Sequence, residues 1–265
     1  MKRSIVIIAR NEKQWTEITA TNFKHQFVDA EIVGVDDGGK NVWPDFVRVI
    51  KTGGEIGVGR CRRLGVERAK GDIVCITDGH VLFDRGDKEK AWRLADEGNV
   101  VTFTTKSLKT GLDRGSGRIH NLEDHSAKNT DVEEGMHTGL IGGVYFMLKS
   151  VAMDIIGPTP SHGFNEQIMT VGALAFGHPI YAYPGMAFHH LYKKEFNYTV
   201  TVAGQLRNRN LLKWWFLDGK PPLGVTPIEK QYHKHVQENR TRDTKEIVQL
   251  IKDMNKGRLP KNNKE

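Results

Sequence analysis

Apolar residues occur along this chain in short blocks separated by polar ones. Ser4 to Ala9 (SIVIIA) is apolar at consecutive rather than alternate positions and β-branched, the pattern of a strand covered on both faces. Glu31 to Val35 (EIVGV), Val47 to Ile50 and Ile73 to Thr77 repeat it, each followed by polar or glycine-rich residues. Before the last of these, Val58, Cys61, Leu64 and Ala69 recur at roughly helical spacing, which predicts a helix over 57–70 closed by Gly71-Asp72. The first 80 residues therefore read strand, helix, strand, helix, strand, the alternation of an α/β domain with a mainly parallel sheet.

The same signals predict helices over 87–97, 149–156 and 165–176, and strands over 100–105, 144–148 and 180–183. Residues 106–139 are polar and aperiodic, which reads as a functional loop or lid, with plain disorder as the alternative. Past Asn197 the chain reads as mainly helical, with one long charged helix over 227–255 and a frayed end, KGRLPKNNKE.

Composition narrows the class. A hydrophobic fraction of 38% with 27% charged residues fits a soluble globular protein. No apolar run is long enough to span a bilayer, and the N-terminal one is too short for a signal peptide, so the expectation is a cytoplasmic protein. Cys61 and Cys75 have no metal-ligand or CxxC spacing, which argues against a zinc site or a disulfide framework. Residues 205–265 hold 14 Lys/Arg against 7 Asp/Glu, which accounts for the whole net charge of +7. Such a basic segment suits a polyanionic partner, or else a solvated helical face.

In an open α/β sheet ligands bind beyond the carboxyl ends of the strands. The residues there are Asn11-Glu12, Asp36-Asp37 and Asp78-Gly79-His80, which should share one rim. Asp78 and His80, two apart on an extended segment, face the same side and suit one divalent ion, with Gly79 leaving room for a ligand's phosphates. Oxygen with imidazole ligation suits Mn²⁺ better than a thiolate site would. Taken alone, Asp-Gly is also among the commonest turn dipeptides.

Taken together, SIVIIARNE, EIVGVDDGG and GVGRCRRLGVERAKGDIVCITDGH resemble the nucleotide-binding half of GT-A glycosyltransferases, whose strand ends in a DxD motif. The DxH variant here is most similar to the polypeptide N-acetylgalactosaminyltransferases and their family 2 relatives. Ile141 to Phe146 resembles the glycine pair and strand behind the donor sugar, Gly163-Phe164-Asn165-Glu166 a Trp-Gly-Gly-Glu-type segment, and His189-His190-Leu191-Tyr192 a Gly-His-Val-Phe segment bearing the last metal ligand. The resemblance covers about residues 3–195. It implies a Rossmann-like, mostly parallel sheet over 1–204, divided into a nucleotide-sugar half (1–105) and an acceptor half (106–204), with 205–265 as a basic helical extension.

It also implies roles. Asp78, His80 and His190 would bind Mn²⁺ or Mg²⁺, with His189 the alternative to His190. Asp36 or Asp37 would receive the uracil or ribose of a UDP-sugar, Glu12, Gly142 and Gly143 would line the donor pocket, and Arg62 would meet phosphate. Glu166 would be the carboxylate at the reacting centre, either as general base or as an orienting anion. The segment departs from the family at Phe164-Asn165 and at Glu166-Gln167, where an acidic pair is common, which leaves the stereochemistry open.

The polypeptide transferases are secretory and carry an anchor and a lectin domain, neither of which is evident here. With a cytoplasmic location (the host cytoplasm for a phage enzyme) and a basic extension, the favoured acceptor is a hydroxymethylated pyrimidine in DNA, as for bacteriophage enzymes that glycosylate such bases. Trp214, Trp215, Arg207, Arg209 and Lys213 offer the aromatic and basic mixture that holds nucleic acid, unless the tryptophans anchor the extension to the core. The alternatives are a protein, glycan or lipid-linked acceptor, and a non-catalytic nucleic-acid-binding protein. A nucleotidyltransferase is disfavoured, because ARNEKQW lacks a phosphate loop.

Overall fold

The computed structural model describes residues 1–121, 123, 126–135, 138–192 and 200–257. Its strands β1 (Arg3–Ala9), β2 (Glu31–Asp36), β3 (Arg48–Lys51), β4 (Ile73–Asp78), β5 (Val81–Arg85), β6 (Val100–Ser107), β9 (Val144–Leu148) and β10 (Ile180–His190) form one sheet in the order β3-β2-β1-β4-β9-β6-β10-β5. β7 (Gly117–His120) and β8 (Ala127–Thr130) form a separate antiparallel hairpin. The β1–β2, β1–β4, β2–β3 and β6–β10 pairs are parallel, while β9 runs antiparallel to β4 and β6, and β5 antiparallel to β10. This is the α/β, mostly parallel architecture read from the sequence.

The two-sided apolar strands follow from helices on both faces. Ile5 and Ile7 of β1 face α1 (Trp15–Gln26) and α3 (Lys88–Asp96), in a layer rich in aromatic rings that includes Phe23, Phe27, Trp92 and Phe146. α1 docks there because Thr16, Thr19, Ala20 and Phe23 recur at i, i+3, i+4 and i+7. Val6 and Ile8 face the other layer, formed by α2 (Val58–Arg68), α4 (Lys149–Ile155), α5 (Asn165–Phe176), α6 (Val202–Phe216), α7 (Pro227–Asn239) and α8 (Thr244–Asn255). The C-terminal helices share this core through Leu211, Trp215, Phe216, Tyr232, Val236, Ile247 and Ile251. Trp215 is fully buried and Trp214 stacks on His233 at 4.3 Å, so both tryptophans anchor the extension.

Three expectations are corrected. The long helix over 227–255 is two helices: Asp243 and Glu246 close a capping box that starts α8, and Thr241 and Arg242 donate backbone N–H groups to Ala175 O. The aperiodic stretch 106–139 begins inside β6 and contains the β7–β8 hairpin. The strand at 180–183 continues to His190, because the register shift at Pro184-Gly185 absorbs the proline without ending the ladder. Most of the chain end read as frayed lies outside the described residues.

Candidate active site

The carboxyl ends of β1, β2 and β4 open into a cavity of about 280 Å³. Glu12, Asp37, Arg62, Asp78, His80, Gly142, Glu166 and His190 all line it, so one cavity gathers residues from 12 to 190.

At one end, the two aspartates after β2 separate in role. Asp37 is buried, lines the cavity and accepts from Ile56 N at 2.8 Å and Thr52 Oγ1 at 3.2 Å. Asp36 is spent on structure: it accepts from Gly38 N, two residues on, and from Asn41 Nδ2 and Trp43 Nε1, and it is not part of the cavity wall. Arg10 spans this end, donating to Asp37 O at 2.6 Å and pairing with Glu55 at 2.9 Å.

In the centre, Asp78, His80 and His190 present one ligand atom each, all within 4.8 Å of one another. Asp78 Oδ2 lies 3.5 Å from His190 Nε2, and the two imidazole centroids are 4.7 Å apart. The convergence is made by backbone. The chain turns after β4 directly into β5, which pairs with β10 so that Val81 opposes His190, while Leu191 N donates to His80 O. Gly143, at φ +114°, lets the His190 ring pack where a Cβ would sit 2.9 Å from its Cδ2. Gly79 has a different use from the one its position suggested: its Cα faces β1, where a Cβ would meet that of Ala9 at 2.9 Å. Successive strand side chains alternate, so His189 points away from this cluster toward Asp84, 3.5 Å from its Oδ1. Glu12 Oε1 lies 3.2 Å from His80 Nδ1, the carboxylate–histidine arrangement that orients a ligating ring.

Beside this cluster Arg62, 2% exposed, reaches Glu166 at 3.0 Å and Asp78 at 3.6 Å. Its guanidinium also lies 5.5 Å from the Tyr145 ring, whose hydroxyl donates to Glu166 at 3.2 Å. Burial alone would raise the Glu166 carboxyl, but the charges of Arg62, Arg118 and His162 together outweigh it and hold the group at about 2. In this structure Arg62 pairs with two carboxylates.

Sequence reasoning missed the wall opposite. His162, which burial keeps below the usual imidazole range and hence neutral at pH 7, lines the cavity, as do Arg118 and Tyr192. His162 sits on a loop pinned from both sides. Asn165 donates to Ser161 O and Gly163 O and meets Thr159 Oγ1, and Asn208 of α6 donates to the same two carbonyls at 2.9 and 2.8 Å. No local motif marks Asn208, because its partners lie more than 40 residues away. Asn208→Ala should lower the unfolding free energy by about 2 kcal/mol in urea titration, since it leaves buried carbonyls short of a donor. A loss below about 0.5 kcal/mol would mean that the loop does not depend on α6.

The family description Glycosyl transferase family 2 matches residues 4–155. No curated protein sequence matches the chain. Among solved structures, the fold is similar to that of GalNAc-T7 crystallised with UDP, GalNAc and Mn²⁺, with a TM-score of 0.69 at 13% identity over 97% of this chain and 57% of that one. It is also similar to S. aureus TarS 1–349 in complex with UDP-GlcNAc, with a TM-score of 0.61 at 13% identity over 96% of this chain and 71% of that one. The chain thus spans little more than half the length of the GalNAc-T7 chain.

Proposed function

The chain belongs to glycosyl transferase family 2, and we propose that it moves a sugar from a UDP-sugar to a hydroxyl acceptor, with a divalent cation as cofactor. The observation that carries this reading is the meeting of Asp78, His80 and His190 beside the Arg62–Glu166 pair in the cavity at the strand ends. One carboxylate and two imidazoles converging within 4.8 Å on an open cavity fit Mn²⁺ or Mg²⁺, and the open side leaves room for phosphate oxygens. When bound, the ion supplies Lewis-acid assistance to the departing diphosphate.

The remaining work belongs to the chain's own groups. Asp37, with Glu12 nearby, receives the nucleoside end of the donor. Gly142 leaves space at the sugar. A carboxyl held at about 2 takes up a hydroxyl proton poorly at neutral pH, so Glu166 orients the acceptor and steadies positive charge at the anomeric carbon rather than acting as base. UDP is preferred as the donor's nucleotide because the two structural relatives were crystallised with UDP and with UDP-GlcNAc.

The favoured acceptor is a hydroxymethylated pyrimidine in DNA. This reading is supported by the basic residues 205–265, on which Lys230, Lys234, Lys245, Lys252 and Lys256 are exposed. No helix among the described residues is long and apolar enough to cross a membrane. The test is one incubation series: a panel of nucleotide sugars with hydroxymethylated and plain DNA, with and without EDTA, read by mass spectrometry of the DNA and by release of UDP. Slow UDP release in Mn²⁺ that EDTA abolishes, and a hexose-sized mass gain on hydroxymethylated DNA only, are expected. Metal-independent release would overturn the metal site, and the absence of any mass gain would overturn the DNA acceptor.

A further inference from the structure

Three arginines line the cavity, and two of them are neutralised inside it: Arg10 by Glu55 and Arg62 by Glu166 and Asp78. Arg118 differs. Among the described residues its guanidinium makes no ion pair, although its charge acts on Glu166 at longer range and it is only partly exposed. It is nonetheless held in place. Its Nε donates to Asn129 Oδ1 on β8 at 2.9 Å, and its backbone N–H donates to Thr138 Oγ1 at 2.9 Å. Two residues further, His120 and Asn255 of α8 exchange a reciprocal pair of bonds, His120 N to Asn255 Oδ1 at 3.0 Å and Asn255 Nδ2 to His120 O at 2.6 Å. Nε is used and the strand is clamped, which leaves the two Nη groups for the cavity. A Cβ built on Gly142 would lie 3.9 Å from Arg118 Nη2, which places the fork at the sugar side of the site.

Arg114 extends the same wall. Its guanidinium carbon lies 5.0 Å over the Tyr192 ring, and that ring is 4.4 Å from His190. The wall is remote from the end where Asp37 sits. β2 is second from one edge of the sheet, and β6, on which the hairpin packs, is third from the other. A cation fixed in a cavity gives up part of its hydration, which a bound anion offsets most strongly. A planar guanidinium pinned at one nitrogen suits two-point contact with a phosphate better than an ammonium would.

We propose that Arg118, with Arg114 behind it, binds a phosphate of the acceptor next to the hydroxyl that receives the sugar. This rests on the reading of the cavity as a sugar-transfer site with DNA as acceptor, and it gives that reading a specific contact: the phosphodiester beside the modified base. The hairpin is then the acceptor-binding wall of the site, and α8 is the element that positions it.

The experiment uses the full chain loaded with Mn²⁺ and UDP, titrated with a labelled single-stranded oligonucleotide containing one 5-hydroxymethylcytosine and read by fluorescence anisotropy. Arg118→Gln is expected to weaken binding by about tenfold or more and to flatten the dependence of log K on log salt by about one, with Arg118→Lys recovering part of the affinity. The uncharged nucleoside, tested as a competitor, should show little difference between the wild-type chain and Arg118→Gln. Glycerol 3-phosphate in the same assay separates the sources of phosphate. If it binds in an Arg118-dependent way while the oligonucleotide does not bind, the anion site stands and the DNA acceptor falls. Equal oligonucleotide affinity in wild type and Arg118→Gln overturns the inference, as does a weakening confined to UDP, which would assign the guanidinium to the donor. Binding of neither phosphate probe by the wild-type chain overturns it as well.

Discussion

Asp78→Ala is expected to lower Mn²⁺-dependent UDP-sugar hydrolysis by about 10³-fold or more and to remove the thermal stabilisation that Mn²⁺ confers. Asp78 is the one oxygen donor of the cluster, and it is an anion throughout the working range. Burial would raise its carboxyl, but the hydrogen bond from His190 and the charge of Arg62 hold it well below the usual carboxylate range. Without it, two imidazoles remain, a pair too weak and too uncharged to hold a hard divalent ion. A ligand that binds only the folded chain at 100 times its Kd stabilises by about 2.7 kcal/mol, which for a chain of this size is a shift of roughly 5–10 °C in Tm. Differential scanning fluorimetry with and without Mn²⁺ should show that shift in the wild-type chain and in His189→Ala, whose imidazole faces Asp84, and not in Asp78→Ala. A shift retained in Asp78→Ala would sink the assignment.

What the sequence disclosed follows from how local each signal is. β1, β2, β4 and β9 stood out because strands covered on both faces must be apolar at consecutive positions, and α5 because Gly163 and Gly177 bracket an apolar run. β5 was not predicted: VLFDR, five residues directly after a tight turn, is too short a pattern to stand out until β10 supplies a partner. β10 was predicted only over 180–183, because Pro184-Gly185 interrupts the strand pattern there. The single long helix past 227 overlooked the Asp243–Glu246 capping box, a signal that was present in the sequence.

The candidate site divides in the same way. Residues at strand ends were legible, since the parallel topology brings Glu12, Asp37 and Asp78 to one rim whatever the rest of the chain does. The choices between adjacent residues were not. Asp36 against Asp37 and His189 against His190 turn on which face a side chain takes, and that is fixed by pairing to strands elsewhere in the chain. Arg118, His162 and Asn208 carry no motif at all. They belong to the site through a hairpin clamped by Asn255 and a loop clamped by Asn208, contacts that only the finished fold creates.

Arg62→Ala should be the most destabilising single change in the cavity, at about 3–5 kcal/mol in urea denaturation at pH 7, because it leaves Glu166 and Asp78 buried with no cation between them. Its pH dependence identifies the cause. In the wild-type chain Glu166 has its carboxyl lowered to about 2, so its contribution to stability is fully present above the ordinary carboxylate range and is lost as the pH falls from about 4.5 to about 2. In the variant burial still raises the same carboxyl and only the weaker pull of Arg118 and His162 opposes it, so the group moves up toward the ordinary carboxylate range. Its contribution to stability at neutral pH shrinks accordingly. The gap between the two chains should therefore close only as the pH falls toward about 2, and be at its full size by pH 7. Arg62→Met combined with Glu166→Gln should recover much of the stability, since the buried carboxylate at 166 goes with its partner, but not the activity. A deficit that stays constant across pH would show that the loss is one of packing, and that the Arg62 charge does not set the state of Glu166.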